Sequence, residues 1–429
     1  MLFTNCKSVK PNIENSLSIE DKILTMLKGD SILSKHFTGF KLYDLSENKD
    51  LISHNEDFLF TPASNIKLLT YLTCLNVLGD SISSFKYNFT NDTLLIIPNG
   101  DPSFLNHEID TLQRAFEFLK SQGQVIQIYN NSKNNVKPLG PGWAWEDSQY
   151  SYQSPMSFFP MYGNRVTFTP SSNFYNINVS PSYFKSRTVL KDTFNKFIKR
   201  DDFENVFYVN DKQIPKNYKV TRPFIVSENL TVKLLADTVN QKVEIIENIQ
   251  TGEWSNYYSI ASDSLYKKVL FESDNHVADQ LLLMCSNEAL GYMNTDSIIQ
   301  FAVDNFLNLN STDIRWVDGS GLSRYNLISP KMANIILNKI FKKAGLQKIK
   351  TLFPTGRFGD TLPSIFSNEK NWIYAKTGTL SNNFCISGYL ITDKNKILSF
   401  SFMNNHYVSG KRAVSESMYN ILKTIKNNY

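Results

Sequence analysis

Helical and strand periods alternate over residues 1–81, give way to short β-type runs over 82–255, and return over 256–429. An α/β (α+β) fold interrupted by a β-rich insertion accounts for this pattern better than three domains in series. At 429 residues the chain is also too long for one ordinary compact core. The expected division is a discontinuous domain, 1–81 with 256–429, and an inserted unit, 82–255.

The elements follow in order. Residues 19–35 (IEDKILTMLKGDSILSK) repeat apolar positions at helical spacing. FTGFKLYDLSENKDLISHN alternates apolar and polar residues around a Ser-Glu-Asn-Lys-Asp turn, the pattern of a β-hairpin. Phe60-Thr-Pro-Ala-Ser64-Asn-Ile-Lys67 then leads into LLTYLTCLNVLG. Pro62 suits the entry to a helix, and Ile66, Leu69, Leu72 and Leu75 share one face of it. Over 82–255 the runs TLLIIP, QVIQIYN, RVTFTP, NFYNINVS and NVFYVN read as strands, with helical pattern sparse until 228–240. SLYKKVLFESDNHVADQLLLMC restores the helical period. The chain closes with strands NWIYAKTGT, CISGYLIT and KILSFSFMN and an amphipathic helix, SGKRAVSESMYNILKTIKN.

Composition narrows the function classes. With 41% apolar and 20% charged residues the chain can bury a core, which excludes wholesale disorder. The net charge of +5 comes from interspersed Lys and Asp/Glu, against a dedicated nucleic-acid surface and in keeping with weak attraction to an anionic polymer. No run of about 18 apolar residues occurs, so nothing is expected to span a membrane. Cys74, Cys285 and Cys385 sit in apolar runs and read as small buried hydrophobes. His36, His54, His107, His276 and His406 show no ligand spacing, so neither a metal nor another cofactor is expected.

Three motifs carry the chemistry: Ser64-x-x-Lys67, Ser273-Asp274-Asn275 and Lys376-Thr377-Gly378-Thr379. Each alone is short enough to arise by chance; their order and context give them weight. A serine hydroxyl is a poor nucleophile and needs a base. Residues three apart share a helix face, which brings Lys67 to Ser64. Lysine is a base only when neutral, and burial beside a second cation, Lys376, is expected to lower its pKa. A helix start at Ser64 aims N–H groups at a developing oxyanion. Lys376 and Thr377 offer a cation and a hydroxyl to a carboxylate, and Thr379 a second N–H to the oxyanion. Gly378 is expected to keep the strand bare for substrate.

The ordered triple is a signature of penicillin-interacting serine enzymes. Together with Phe60-Thr-Pro-Ala-Ser64-Asn-Ile-Lys67-Leu-Leu-Thr, Asn99-Gly-Asp-Pro-Ser-Phe104, Gly140-Pro-Gly-Trp-Ala-Trp145-Glu-Asp147, Asp318-Gly-Ser-Gly-Leu-Ser-Arg324 and Ala375-Lys-Thr-Gly-Thr-Leu-Ser-Asn382, it gives a chain that resembles the class-C low-molecular-mass penicillin-binding proteins, the D-alanyl-D-alanine carboxypeptidase/endopeptidase family. The resemblance runs from about 37 to 405. It implies a penicillin-binding/β-lactamase-like transpeptidase fold with the β-rich insertion between the first two motifs. It also implies hydrolysis of peptidoglycan stem peptides through an acyl-enzyme, and β-lactams as covalent inhibitors. Ser64 would be the nucleophile, Lys67 the base and Ser273 a proton relay; Asn275 would orient the acyl-side amide, and Lys376 and Thr377 the terminal carboxylate. The stretch from Phe104 to Gly140 looks shortened against the family, so the outer inserted module is expected to be trimmed.

The family suggests that Trp143-Ala-Trp-Glu-Asp147 folds back over the cleft, offering aromatic walls beside an acid. Asp147 is then the candidate for the amine of a diaminopimelate residue, and Arg357, in Pro354-Thr-Gly-Arg-Phe-Gly, for its carboxylate. The opening Met-Leu-Phe-Thr-Asn-Cys6-Lys-Ser resembles the end of a bacterial lipoprotein signal, without its basic and hydrophobic parts. Cys6 is the expected acylation site, and the protein is expected to be extracytoplasmic, periplasmic and lipid-anchored.

Other readings are weaker. A G-x-S-x-G elbow around Ser320 would need glycine where Asp318 stands, and His406 has no evident orienting acid. Single-domain β-lactamases place Ser-Asp-Asn far closer to the active serine, and no Glu-x-x-Leu-Asn segment lies between Ser64 and Ser273. A catalytically dead wall-binding module would not keep Ser64, Lys67, Ser273, Asn275, Lys376 and Thr377 all intact.

Overall fold

The computed structural model describes residues 17–123, 125–171, 177–191, 197–210, 217–249, 252–307, 313–357, 359–367 and 371–429; Cys6 lies outside them. The chain opens with helix α1 (Ile19–Gly29), strands β1 (Phe37–Asp44) and β2 (Lys49–His54), and helix α2 (Lys67–Val77). There follow β3 (Ser81–Thr90), β4 (Thr93–Pro98), α3 (Arg114–Ser121), β5 (Val125–Tyr129), β6 (Arg165–Pro170) and β7 (Ile177–Ser180). Next come β8 (Thr188–Leu190), β9 (Ile198–Arg200), β10 (Phe207–Val209), β11 (Val220–Pro223), α4 (Glu228–Val239), β12 (Val243–Ile246) and β13 (Ser255–Ala261). The last part holds α5 (Ser262–Leu270), α6 (Asn275–Leu290), α7 (Thr295–Ala302), α8 (Pro330–Leu352), β14 (Ile373–Leu380), β15 (Asn383–Ile391), β16 (Ile397–Asn405) and α9 (Lys411–Asn428).

One antiparallel sheet, in the order β14-β15-β16-β1-β2, joins the two ends of the chain. Both of its faces are covered, so its strands bury alternate side chains in opposite directions. Cys385, Tyr389 and Met403 pack with Leu337 and Ile340 of α8 and with α2, α5 and α6. Phe384, Ile386 and Phe400 pack on the other face with Ile23 and Leu27 of α1 and Met418 and Ile421 of α9. Strand β14 is an edge, and the 3₁₀ turn Ala63–Ile66 that leads into α2 lies against it.

A second five-stranded sheet, β12-β5-β4-β3-β13, has its own core with α3 and α4, centred on Phe85, Ile96, Leu119, Ile126 and Leu234. Strands β3 and β13 pair antiparallel, with Ser81 opposite Ala261, so the chain leaves and returns at one place. Strands β4, β5 and β12 are parallel neighbours. Two three-stranded sheets, β11-β6-β7 and β8-β10-β9, complete this region.

Three expectations need correction. The helix read over 19–35 stops at Gly29, because Asp30 Oδ1 accepts from the N–H groups of Ile32 (2.8 Å) and Leu33 (2.9 Å) and turns the chain. Leu33–Lys35 is a separate 3₁₀ turn. Helix α3 lies in a stretch where helical pattern looked sparse. The run after Ser262 is two helices broken at Ser273, whose φ of 63° no continuous helix accommodates.

Candidate active site

Ser64 lies in the 3₁₀ turn Ala63–Ile66, which runs directly into α2. The turn is held by backbone on two sides. A Cβ on Gly321 would lie 2.0 Å from the Ala63 carbonyl oxygen, and one on Gly378 would lie 2.2 Å from the Pro62 carbonyl oxygen and 3.0 Å from the Ser64 nitrogen. Glycine at 378 thus admits the nucleophile's own turn, a requirement the reading of a strand bare for substrate did not include. Ala63, with φ 49°, is the strained residue of this wedge. The Asn405 side-chain amide pins the entry by accepting from the Thr61 N–H (2.6 Å) and donating to its carbonyl (3.1 Å). Asn65 Nδ2 donates to the Cys385 carbonyl (3.2 Å), fixing the turn to the central sheet.

Lys67 is fully buried. Its Nζ lies 2.9 Å from Ser64 Oγ, 2.6 Å from Asn275 Oδ1 and 2.6 Å from the Ser320 carbonyl oxygen. Burial lowers its pKa to about 8, against the opposing pull of Asp279, Asp318 and Asp274. Burial is thus the cause that lowers it, as the sequence reading expected, and Lys376, the second cation of that reading, does not add to the shift. Lys376 is itself held well below the ordinary lysine range, by burial first and by the Lys67 charge second.

The Asp318–Arg324 loop carries the platform for Lys67. Asp318 accepts from the N–H groups of Gly321 (2.9 Å) and Ser323 (2.7 Å), from Asn326 Nδ2 (2.7 Å) and from Trp143 Nε1 (2.9 Å). Asp279 on α6 accepts from the Gly319 N–H (2.7 Å). Ser320 is fully buried, so it offers no exposed nucleophile.

Ser273 Oγ accepts from Lys376 Nζ at 2.9 Å, and Lys376 also donates to the Thr377 carbonyl at 2.8 Å. Asp274 caps α6 by accepting from the Val277 N–H (3.0 Å) and pairs with Arg165 of β6 (3.2 Å). Asn275 Nδ2 donates to the Tyr152 carbonyl (2.9 Å). The region between β3 and β13 therefore supports the Ser-Asp-Asn motif through both Arg165 and Tyr152.

A cavity of about 710 Å³ opens beside Ser64, lined among others by Asn275, Thr379, Asp147, Tyr152 and Arg324. Asp147 is placed there as expected. With burial first and the Asp147 hydrogen bond second, the Tyr152 phenol is held above its ordinary range. Arg357 does not reach this cavity: it is exposed, and its Nε donates to Asn371 Oδ1 at 3.1 Å. The lining cation is Arg324, whose position inside a motif already noted was the available signal. The tryptophans are not walls of the cavity either. Trp143 anchors Asp318, Trp145 is 83% exposed, and the aromatic lining is Tyr152 and Tyr407.

A serine hydroxyl on a buried lysine, beside a second buried lysine that holds a serine, is the apparatus of a serine hydrolase that works through an acyl-enzyme. The model of the D-Ala-D-Ala carboxypeptidase 3 (S13) family matches residues 20–193 and 220–425, and the chain belongs to that family. It is 24% identical to the D-alanyl-D-alanine carboxypeptidase DacB of Haemophilus influenzae, over 87% of this chain and 86% of that one. It is 21% identical to penicillin-sensitive carboxypeptidase A of Dictyostelium discoideum, over 84% of this chain and 80% of that one. The crystal structure of penicillin binding protein 4 (dacB) from Haemophilus influenzae matches the fold with a TM-score of 0.73 at 19% identity, over 94% of this chain and 99% of that one. A predatory peptidoglycan endopeptidase from Bdellovibrio bacteriovorus matches with a TM-score of 0.52 at 15% identity, over 91% and 92%. The protein is a serine-type D-Ala-D-Ala carboxypeptidase by family. Among the described residues no helix is long and apolar enough to cross a membrane.

Proposed function

We propose that Ser64 attacks the carbonyl carbon of the penultimate D-alanine of a peptidoglycan stem, releases the terminal D-alanine, and passes the acyl group to water. The observation that carries this reading is Lys67 Nζ at hydrogen-bonding distance from both Ser64 Oγ and Asn275 Oδ1. Neutral Lys67 takes the hydroxyl proton as Ser64 attacks. The N–H groups of Ser64 and Thr379 hold the oxyanion. Ser273, on Lys376, relays to the departing amine the proton that Lys67 took, regaining its own in the same transfer, while Lys376 and Thr377 hold the terminal carboxylate. The same acylation makes β-lactams covalent inhibitors, and a stem on the leaving side makes the enzyme an endopeptidase on cross-links. Release of D-alanine from a synthetic pentapeptide tests the reading; a protein that binds the peptide and releases none would overturn it.

The catalytic unit in this reading comprises 1–81 and 256–429, with 82–255 inserted and its outer module trimmed. The adjacency of β3 and β13 supports that division. The acyl-side cavity selects a stem whose third residue ends in both an amine and a carboxylate, as meso-diaminopimelate does. Asp147 meets the amine and Arg324, in place of Arg357, the carboxylate. Asp147→Asn is then expected to lower kcat/KM for a diaminopimelate peptide by about 1.5–3 kcal/mol in transition-state terms. Acylation by a simple penicillin, which lacks the amine, stays nearly unchanged. Equal losses on both substrates would assign Asp147 to the fold instead.

The protein works outside the cytoplasm, in the periplasm, held by a lipid on Cys6. In the native host the full-length chain should partition with membranes and the Cys6→Ser chain with the soluble fraction. Identical partitioning would remove Cys6 from the account.

A further inference from the structure

The segment from Trp143 to Gln153 is tied down along its length. Trp143 Nε1 donates to Asp318 Oδ2 (2.9 Å), Gln153 Nε2 to the Ala144 carbonyl (2.9 Å) and Asn275 Nδ2 to the Tyr152 carbonyl (2.9 Å). Gln149 Oε1 accepts from the Arg200 N–H (3.0 Å). On this fixed strap Trp145 is 83% exposed. These hydrogen bonds fix the chain on both sides of Trp145, so the exposed ring is carried at one place beside the cavity. An indole exposed at a fixed place beside a substrate cavity is available to a bound molecule, with an apolar face and a polar edge to offer.

The position says which end of a substrate meets it. Thr379 and Leu380 at the end of β14 and Ser381 just after it line the cavity, whereas Lys376 and Thr377, farther back along the same strand, are not in its lining. A peptide whose terminal carboxylate sits at Lys376 and Thr377 runs past Thr379 into the cavity, with its amino-terminal side toward Asp147. Ala144, Glu146 and Asp147 line this cavity, and Trp145, between them in the chain, is exposed. In the wall polymer the amino end of a stem is joined to a sugar through an amide, so no free carboxylate arrives there. A pyranose ring presents a face of C–H groups edged by hydroxyls, which suits a flat indole with one N–H. The neighbouring acids, Glu146 and Asp147, oppose docking on an anionic membrane surface.

We propose that Trp145 is a stacking platform for the N-acetylated sugar that bears the stem peptide, so that the enzyme favours glycan-linked stems over free ones. The inference rests on the peptidase reading above. It is tested with two substrates of the same pentapeptide, one joined to a disaccharide and one capped by a simple acyl group, on the full chain. For Trp145→Ala the expected result is a fall of about tenfold in kcat/KM on the disaccharide substrate and less than about twofold on the capped peptide. Trp145→Phe should recover part of the loss. Fluorescent penicillin labelling at the wild-type rate shows that the variant is folded. Equal effects on the two substrates, or none on either, would overturn the glycan assignment while leaving the peptidase standing. Binding of the wild type to anionic vesicles that is lost in Trp145→Ala would replace the sugar with a membrane. Failure of the wild type to cleave either substrate would remove the peptidase reading itself.

Discussion

Ser64→Ala is expected to lose about a millionfold in turnover of a D-alanyl-D-alanine peptide and all covalent labelling by fluorescent penicillin. Neither of the other two motif serines offers a substitute. Ser320 is fully buried, and Ser273 is held by Lys376 at 2.9 Å. The fold should survive. The Ser64 side chain caps no helix, since the first turn of α2 has no side-chain cap. Lys67 keeps Asn275 Oδ1 and the Ser320 carbonyl when the Ser64 hydroxyl is removed. The loss in stability is therefore that of one ordinary hydrogen bond, about 1 kcal/mol, and Tm should move by only a few degrees. The measurement is labelling and D-alanine release on a protein whose circular dichroism matches wild type. A folded Ser64→Ala protein that still labels would refute the assignment.

The sequence made some of this site readable and hid the rest for physical reasons. Ser64 and Lys67 are three residues apart on one helical run, so local geometry alone predicts their approach. Ser273, Asn275 and Lys376 were marked by short motifs, and the structure gathers them about the two lysines. Gly378 was singled out for substrate, but its need to clear the carbonyl of Pro62, far away in the chain, was hidden. Gly321 has the same duty toward Ala63, and nothing local announces it. Arg324 and Arg357 both follow glycine-containing turns. Which of them faces the cavity depends on how the Asp318 carboxylate folds its loop, a set of long-range hydrogen bonds. In the fold, the hairpin of β1 and β2 follows from period-two patterning and the three last strands from short strand-like runs. Helix α3 was missed because it has only eight residues and starts after Gln113 in a left-handed conformation, φ 48°. The parallel pairing of β4, β5 and β12 leaves no mark on the pattern of any single strand.

The second large effect concerns the pH dependence set by the two lysines. Lys67 works as a base only when neutral, so acylation should rise with pH through the pKa of Lys67 and level off above it. Burial brings that pKa to about 8, far below the free amine. The sign follows from charge: below about pH 8 the ammonium form dominates and acylation falls roughly tenfold per pH unit. Lys376 is likewise buried and depressed, and a charge on either amine disfavours a charge on the other. Lys376→Ala removes that repulsion while Asp279, Asp318 and Asp274 remain to favour the charged form of Lys67. The acid limb should therefore move to higher pH, so that at pH 7 the variant loses more than the binding defect alone. Lys376→Arg, which keeps a cation, should hold the limb near its wild-type position. The measurement is the second-order rate of acylation by a β-lactam from pH 6 to 10 in the wild type and both variants, because acylation isolates the first proton transfer. An acid limb that stays in place in Lys376→Ala would show that the two amines are not coupled and that burial alone sets the base.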